Sequence, residues 1–391
     1  MDVFPAGPAS PASRRPPLSV VIPVFNGGTD LERCLLGVRS NLDVDYEVVV
    51  VDDGSTDDSL GVAQRFGARV LRNESPKGPA SARNDGAEAA LAPIVFFLDA
   101  DVVIHHDALK KALARFDADP KLSAMFGSYD DAPFAPSLVS RYRNLLHHYV
   151  HQQGNFIDDA RPAHTFWTGC GAIRRSVFLE IGGFDPALYR RPAIEDIELG
   201  YRLSRAGHRV ILSRDVQATH LKTWTLWSVI KTDIFHRGLP WMLLMLRSKL
   251  VESDLNVNPS QRACVAATGI GWASLPMIAK FPIAGLIVVA GLMVQAVLNR
   301  DFYRYLAKKN GWGFAVACFP LHYVYFCCCG VSVALALIIK SMPRVRTSLV
   351  LDAGQRTERG VTAGARRTKR SARPKKPASS PRKTPPWNGK P

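Results

Sequence analysis

Ile94-Val95-Phe96-Phe97-Leu98-Asp99-Ala100-Asp101 places five apolar residues directly before two acids. So short a run, unbroken by polar residues, is the pattern of a strand buried on both faces, and the acids stand where it ends. Two earlier runs repeat the design: Leu18 to Val24 precedes Phe25-Asn26, and Glu47 to Val51 precedes Asp52-Asp53-Gly54. Helical patterns lie between them. Thr29-x-x-Glu32 reads as a capping box opening a helix, with Leu31, Cys34, Leu35, Val38 and Leu42 along one face. A second helix is expected to start near Asp57, a weaker strand spans Arg69 to Leu71, and Ser81 to Leu91 reads as helix. Strands alternating with helices predict an α/β fold with a mostly parallel, Rossmann-like sheet. Ligands of such sheets sit beyond the carboxyl ends of the strands, where both aspartate clusters fall. No G-x-G-x-x-G follows the first strand, which argues against a dinucleotide oxidoreductase.

Charge is distributed unevenly. The 391 residues carry a formal +16, but from Lys340 onward fifteen Lys or Arg meet only Asp352 and Glu358, so that stretch carries +13 and the rest +3. The basicity therefore describes the tail, and no nucleic-acid partner is expected. Seven cysteines show no paired metal-ligand spacing and fall mostly in apolar stretches, which suits a reducing compartment. Residues 1–17 lack the apolar core of a secretory signal and read as a disordered leader, leaving the following domain in the cytoplasm.

After the 18–221 region the pattern changes. Residues 222–255 mix Trp224, Trp227, Phe235 and Trp241 with Lys222, Lys231, His236 and Arg237. That suits an amphipathic helix in a membrane interface, or one packed on the domain. Apolar segments follow at 264–279, 281–298 and 313–339. A membrane span needs about 20 apolar residues, with a range of about 17 to 25. Two to three transmembrane helices are expected, the first two as a hairpin. Arg300, Arg304, Lys308 and Lys309 favour a cytosolic turn before the third. Residues 340–391 read as a disordered basic tail able to meet anionic lipid.

Asp99 and Asp101 could hold a divalent cation against a diphosphate, which gains charge when it leaves. Asp52 or Asp53 could accept hydrogen bonds from a base or ribose. A lone D-x-D is weak, since Asp is common at strand ends. Here it closes an ordered series: Ile22-Pro23-Val24-Phe25-Asn26, Val51-Asp52-Asp53-Gly54-Ser55-Thr56-Asp57, Ala82-Arg83-Asn84-Asp85-Gly86, then Asp99-Ala100-Asp101. Thr168-Gly169-Cys170-Gly171-Ala172, Gly182-Gly183-Phe184-Asp185 and Glu195-Asp196-Ile197-Glu198-Leu199-Gly200 continue it.

The series resembles that of the family 2 glycosyltransferases, of GT-A fold, over residues 18 to 221. The later aromatic helix and spans are similar to those of membrane-bound bacterial-type members. The resemblance implies a nucleotide-sugar donor, UDP- or GDP-linked, and a divalent metal, Mn²⁺ or Mg²⁺. Pro23, Phe25, Asn26, Asp52 and Asp53 match its nucleoside-binding positions, and Arg83 a position near the donor phosphates. Asp99 matches a residue near the ribose or sugar, Asp101 the metal ligand, and Asp196 the general base of inverting members. Glu195 and Glu198 beside Asp196 would raise its proton affinity. His220 reads as a further metal ligand, a phosphate contact or a structural histidine. His105-His106 and His147-His148 read as surface. Arg237 and Trp241 resemble part of a Q-x-x-R-W signature near the acceptor, with the Gln missing and the spacing altered.

The function expected is inverting transfer of a sugar to a lipid-linked or cell-envelope glycan acceptor at a membrane. Transfer to a polyprenyl phosphate, as in dolichol-phosphate-mannose-synthase-like enzymes, is an alternative. A non-catalytic membrane scaffold is another.

Overall fold

A computed structural model describes residues 15–189, 191–248 and 258–342. Most of the leader, the end of the 222–255 stretch and the basic tail beyond residue 342 lie outside the described residues.

The first half builds in βα steps. Strand β1 (Leu18–Val24) is followed by α1 (Gly28–Arg39), β2 (Tyr46–Asp52), α2 (Ser59–Arg65), β3 (Arg69–Arg72), α3 (Pro79–Ala89) and β4 (Ile94–Leu98). β1 pairs parallel with both β2 and β4, and β2 with β3. Successive strand side chains point to opposite faces. Val20 and Ile22 therefore join the core with Leu31, Leu35 and Phe116, and Val21 joins the opposite one with Phe97, Phe178 and Phe184. Gly86 of α3 lets helix and sheet meet closely, since a Cβ there would lie 2.3 Å from Val21 Cγ1.

Beyond β4 the sheet is mixed. β5 (Val102–Ile104), α4 (Ala108–Ala118), β6 (Leu122–Tyr129), α5 (Leu138–His151), β7 (Ala160–Pro162), β8 (Cys170–Arg174), α6 (Arg175–Glu180), α7 (Glu195–Arg205) and β9 (Arg209–His220) complete it. The strand order is β3-β2-β1-β4-β8-β6-β9-β5, with β7 on β9. β8 runs antiparallel to both β4 and β6, so the parallel character expected from the sequence belongs to the first four strands and to the β6–β9 pair.

Two local expectations are corrected. Thr29 caps nothing: α1 begins at Gly28 with Gly27 as its N-cap residue and no side-chain cap. Asp57 Oδ2 instead accepts the Gly28 N–H at 3.0 Å, supplying from another loop the partner a capping side chain would give. Leu42 lies past the end of α1 and is exposed, so it is not part of the helix face.

After β9, α8 (Leu226–Lys231), a π-helix (Thr232–Gly238) and α9 (Leu239–Ser248) form one helical run. One face of it packs inward and the other is open. Trp224, just ahead of it, and Val229 and Asp233 are buried, while Trp227 and Phe235 are exposed. Helices α10 (Pro259–Ile278) and α11 (Gly285–Leu298) then form a hairpin with polar cross-links: Gln295 Nε2 donates to Thr268 Oγ1 at 2.6 Å and Gln261 Nε2 to Asn299 Oδ1 at 2.9 Å.

The last helical run, α12 (Arg300–Ser341), breaks at Gly311, with φ of 82° and ψ of 161°. An L side chain rarely adopts that φ. There the chain doubles back: Tyr303 Oη lies 3.0 Å from His322 Nδ1, and Phe302, Tyr303 and Leu306 share a core with Ala315 and Cys318. Tyr142, Leu145 and Leu146 of α5 close the same core, joining the sheet region to the apolar helices. Among the described residues α12 alone is long and apolar enough to cross a membrane, and Pro282–Leu298 is a shorter apolar helix. Trp272, Ile283, Leu286, Met293 and Val316 stand exposed on these helices.

Candidate active site

The carboxyl ends of β1, β2 and β4 lie side by side, and each carries polar residues of the series. At β1, Pro23 is the penultimate strand residue, Phe25 is exposed, and Asn26 adopts a left-handed φ of 51°. Asn is among the few residues that tolerate that conformation. Asn26 Oδ1 accepts the Thr56 N–H at 2.8 Å, and the Asn26 N–H donates to Ser55 Oγ at 3.0 Å, clipping the β1 and β2 loops together. Asp52 and Asp53 are buried and engaged with protein. Asp52 Oδ1 accepts the Ser55 N–H at 2.9 Å, while its Oδ2 lacks a hydrogen-bond partner and faces Arg72 Nε at 3.4 Å. Asp53 accepts from Asn73 Nδ2 at 2.8 Å, the Lys77 N–H at 3.0 Å and the Gly78 N–H at 2.8 Å. It thereby shapes the turn that starts α3.

Arg83 projects from α3 into the space between β4 and α7. Nη2 lies 2.7 Å from Asp99 Oδ1, and Nη1 lies 2.8 Å from Glu195 Oε1. The residue is 5% exposed. A planar cation with donors in a rigid fork can hold two carboxylates at once; a lysine ammonium cannot match that geometry. Through this one side chain the loop carrying Asp99-Ala100-Asp101 is fastened to the first turn of α7, where Asp196 sits.

On the other side of that loop Asp101 meets His220. Asp101 Oδ2 is 3.4 Å from His220 Nε2, because β5 and β9 pair with Val102 opposite His220. The Leu221 N–H donates to the Asp101 carbonyl at 2.9 Å, which fixes the register. Burial opposes ionisation of Asp101, yet the His220 hydrogen bond and charge, with Lys222 behind, hold its carboxyl below the usual range. Tyr129 stacks flat on the His220 ring, 4.6 Å between centroids and 7° between planes. No group of three or more His, Cys, Asp or Glu side chains suited to a metal occurs among the described residues. Asp101 and His220 are a pair of oxygen and nitrogen donors, the kind Mn²⁺ accepts when other ligands complete its shell.

α7 opens with three acids, Glu195, Asp196 and Glu198. Glu195 is paired with Arg83, and Glu198 with Arg202 at 2.9 Å. Asp196 forms no salt bridge among the described residues. It does not cap the helix either, since the N-cap residue is Ile194. Burial first, then the neighbouring Glu195 charge, push its carboxyl up to about 7, against the pull of Arg83, the Ile197 N–H and Arg237. Its Oδ1 accepts the Ile197 N–H at 2.8 Å and its Oδ2 the Thr168 N–H at 3.4 Å.

Residues 19–182 match the family described as Glycosyl transferase family 2. Those residues are thus similar to a family 2 glycosyltransferase domain. The chain is 32% identical over 243 residues to validoxylamine A glucosyltransferase of Streptomyces hygroscopicus subsp. limoneus, covering 54% of this chain and 53% of that protein. It is 31% identical over 233 residues to pre-mycofactocin glycosyltransferase of Mycobacterium tuberculosis, covering 56% of this chain and 46% of the relative. The chain thus spans about half the length of these curated relatives. A solved mannosyltransferase of Pyrobaculum calidifontis, in complex with GDP-Man and Mn²⁺, aligns over 95% of this chain and 92% of its own at 17% identity and a TM-score of 0.43.

Next to His220 lies a cluster of aromatic side chains that sequence reasoning missed. His147 is not a surface residue: its ring centroid is 4.6 Å from Tyr129, 4.2 Å from His151 and 5.3 Å from Trp167. His148 is buried too, with Nδ1 2.7 Å from the Tyr129 carbonyl. The i, i+4 spacing of His147 and His151 on α5 was the available signal. Of the other pair, His105 is bound, its Nε2 3.0 Å from Asp130 Oδ2. Trp241 donates its indole N–H to Tyr201 Oη of α7 at 3.0 Å. Arg237 is half-buried in the π-helix and its charge acts on Asp196, Tyr129 and His147.

Proposed function

We propose that this chain is an inverting, metal-assisted glycosyltransferase. It moves a sugar from a UDP- or GDP-linked donor to a lipid-linked or cell-envelope glycan acceptor at a membrane. The observation that carries the reading is Arg83 bonded to both Asp99 and Glu195, because it ties a cation-binding loop to the helix of a carboxylate with a raised proton affinity.

In this reading the nucleoside lies at the ends of β1 and β2, with Phe25 exposed beside it. Pro23 and Asn26 shape its loop, and Asp52 and Asp53 hold that loop's walls and offer acceptor oxygens. Arg83 and Asp99 border the phosphates and sugar. Asp101 and His220 would hold the divalent ion, Mn²⁺ or Mg²⁺, which supplies Lewis-acid neutralisation of the departing diphosphate. Asp196 takes the acceptor hydroxyl's proton as that oxygen bonds to the anomeric carbon and the bond from that carbon to the phosphate oxygen breaks. A base works best with a pKa near the operating pH, and about 7 meets that condition. Arg237, Trp241 and Glu195 stand on the acceptor side.

Membrane residence is supported by the exposed apolar side chains of α10, α11 and α12. Lys309 pairs with Asp131 and Arg141 with Asn310, which brings the basic turn before Gly311 against the sheet region. That supports a catalytic domain on the cytoplasmic side, where basic turns accumulate.

The test is turnover of a panel of UDP- and GDP-sugars with Mn²⁺ by full-length protein and its Asp101→Asn and Asp196→Asn variants. Each substitution is expected to lower kcat by about 10²- to 10⁴-fold. Undiminished turnover in both would reject the proposal. Activity lost only in Asp101→Asn would mark an acceptor already ionised, such as a polyprenyl phosphate.

A further inference from the structure

The His220 ring is held by stacking more than by hydrogen bonds. Among the described residues Asp101 is its only hydrogen-bond or ion-pair partner, and that contact, Nε2 to Oδ2, is 3.4 Å long. N–H to oxygen hydrogen bonds ordinarily span about 2.7–3.2 Å, so this one ties the ring loosely. The torsion that turns an imidazole about its Cβ–Cγ bond is broad, and the ring plane has to be set from outside. In metal sites the usual device is a hydrogen bond from the second ring nitrogen to a carboxylate or carbonyl. Here the Tyr129 ring lies parallel to the imidazole within 7°, at a centroid distance of 4.6 Å. Trp224 adds an edge contact at 6.4 Å.

Tyr129 is itself firmly fixed. It closes β6 opposite Ala218 of β9, two residues before His220. Its carbonyl accepts from His148 Nδ1 at 2.7 Å and from Ser128 Oγ at 2.8 Å. The next residue ties the strands again: the Asp130 N–H donates to the Ala218 carbonyl at 2.8 Å, and the Asp130 carboxylate accepts from Thr219 Oγ1. The Tyr129 ring meets Trp167 edge-on at 4.6 Å and His147 at 4.6 Å. Just before this point the β6–β9 register shifts, between Phe126 and Ser128. The strands touch there at Gly127, where a Cβ would lie 2.2 Å from the Val216 carbonyl oxygen. Irregularities of this kind re-aim side chains beside active sites.

We propose that Tyr129 is a positioning residue of the metal pair. Its ring, and not its hydroxyl, sets the plane in which His220 Nε2 faces Asp101 Oδ2. The proposal rests on Asp101 and His220 as ligands of the divalent ion.

The experiment is isothermal titration of Mn²⁺ into full-length protein in detergent, with UDP or GDP at saturation. The proteins are wild type, Tyr129→Phe, Tyr129→Leu, His220→Ala and the Tyr129→Leu/His220→Ala double variant. Tyr129→Phe keeps the stacked ring and is expected to bind Mn²⁺ as wild type does. Tyr129→Leu is expected to raise the Kd by about 10- to 100-fold, the scale for losing a group that orients a ligand. The double variant should bind no more weakly than His220→Ala, because without the imidazole the ring has nothing left to orient. Should Tyr129→Leu fail to fold, Tyr129→Met, which refills the volume with a flexible chain and no ring, takes its place. Equal weakening in Tyr129→Phe assigns the effect to the hydroxyl, and a further loss in the double variant assigns it to general packing. Either result overturns the proposal, as does wild-type affinity in Tyr129→Leu. Failure of the ligand assignment looks different: His220→Ala then binds Mn²⁺ as wild type does, and the proposal falls with it.

Discussion

Arg83 stands between Asp99 and Glu195, residues from β4's carboxyl end and from the start of α7, at 2.7 Å and 2.8 Å. Those carboxylates are far apart in sequence and face one another only because a cation lies between them. Replacing Arg83 with Met leaves the buried Glu195 and the half-buried Asp99 without compensation, which costs up to about 3–5 kcal/mol. Arg83→Lys keeps the charge but loses the fork, and is expected to fold with kcat/KM lower by about 10²-fold, the scale of a 1 Å misplacement. Thermal unfolding in detergent and steady-state kinetics read the two effects separately.

The carboxyl of Asp196 is raised to about 7 in the folded chain, from an ordinary value near 3.8. A carboxyl with a raised folded pKa destabilises the fold when ionised. Its contribution is absent below the unfolded value, grows as pH rises, and is complete above about 7. Asp196→Asn is therefore expected to raise Tm at pH 8, by an amount that shrinks as pH falls toward 5, while abolishing the base. Calorimetry at both pH values checks the sign; an equal gain at each would show that the carboxylate is unstrained.

Asp101 and His220 face one another at 3.4 Å. If they hold a divalent ion, Asp101→Asn and His220→Ala should each weaken Mn²⁺ binding in the presence of UDP or GDP by at least about tenfold. Isothermal titration measures it directly. Prior treatment with EDTA should abolish turnover in wild type and restoring Mn²⁺ should recover it.

Gly86→Ala drives a methyl group to within 2.3 Å of Val21 Cγ1 and so pushes α3 off β1. Overpacking of this kind costs about 1–3 kcal/mol. Because Arg83 rides on the same helix, activity should fall together with stability. Val21→Ala in the same chain should restore both in part, which a denaturation midpoint and a turnover rate can follow.

The α/β core was legible because apolar runs such as Ile94 to Leu98 are too short for helices and too uniform for surface strands. The order of acids after them pointed to the strand ends where the candidate site is argued. Longer-range features were not legible. The antiparallel insertion of β8 between β4 and β6 depends on tertiary pairing that no local pattern encodes. Thr29 matched a capping signature, but Asp57 supplied the bond from elsewhere. His147 looked polar and superficial because an imidazole reads as hydrophilic, although its ring packs among Tyr129, His151 and Trp167. The π turn at Thr232–Gly238 was invisible, since the groups packed against its Asp233 and Gly238, Arg143 and Ser332, come from distant parts of the chain.

The reversal at Gly311 returns Phe302, Tyr303 and Leu306 to the face of α5 that carries Tyr142, Leu145 and Leu146. A shortened protein ending near Asn299 would bare that aromatic and aliphatic face to solvent. Trimming the hydrophobic helices is thus not a route to a well-behaved catalytic fragment. The chain's water-facing and oily portions share one interior, and purification has to keep them together.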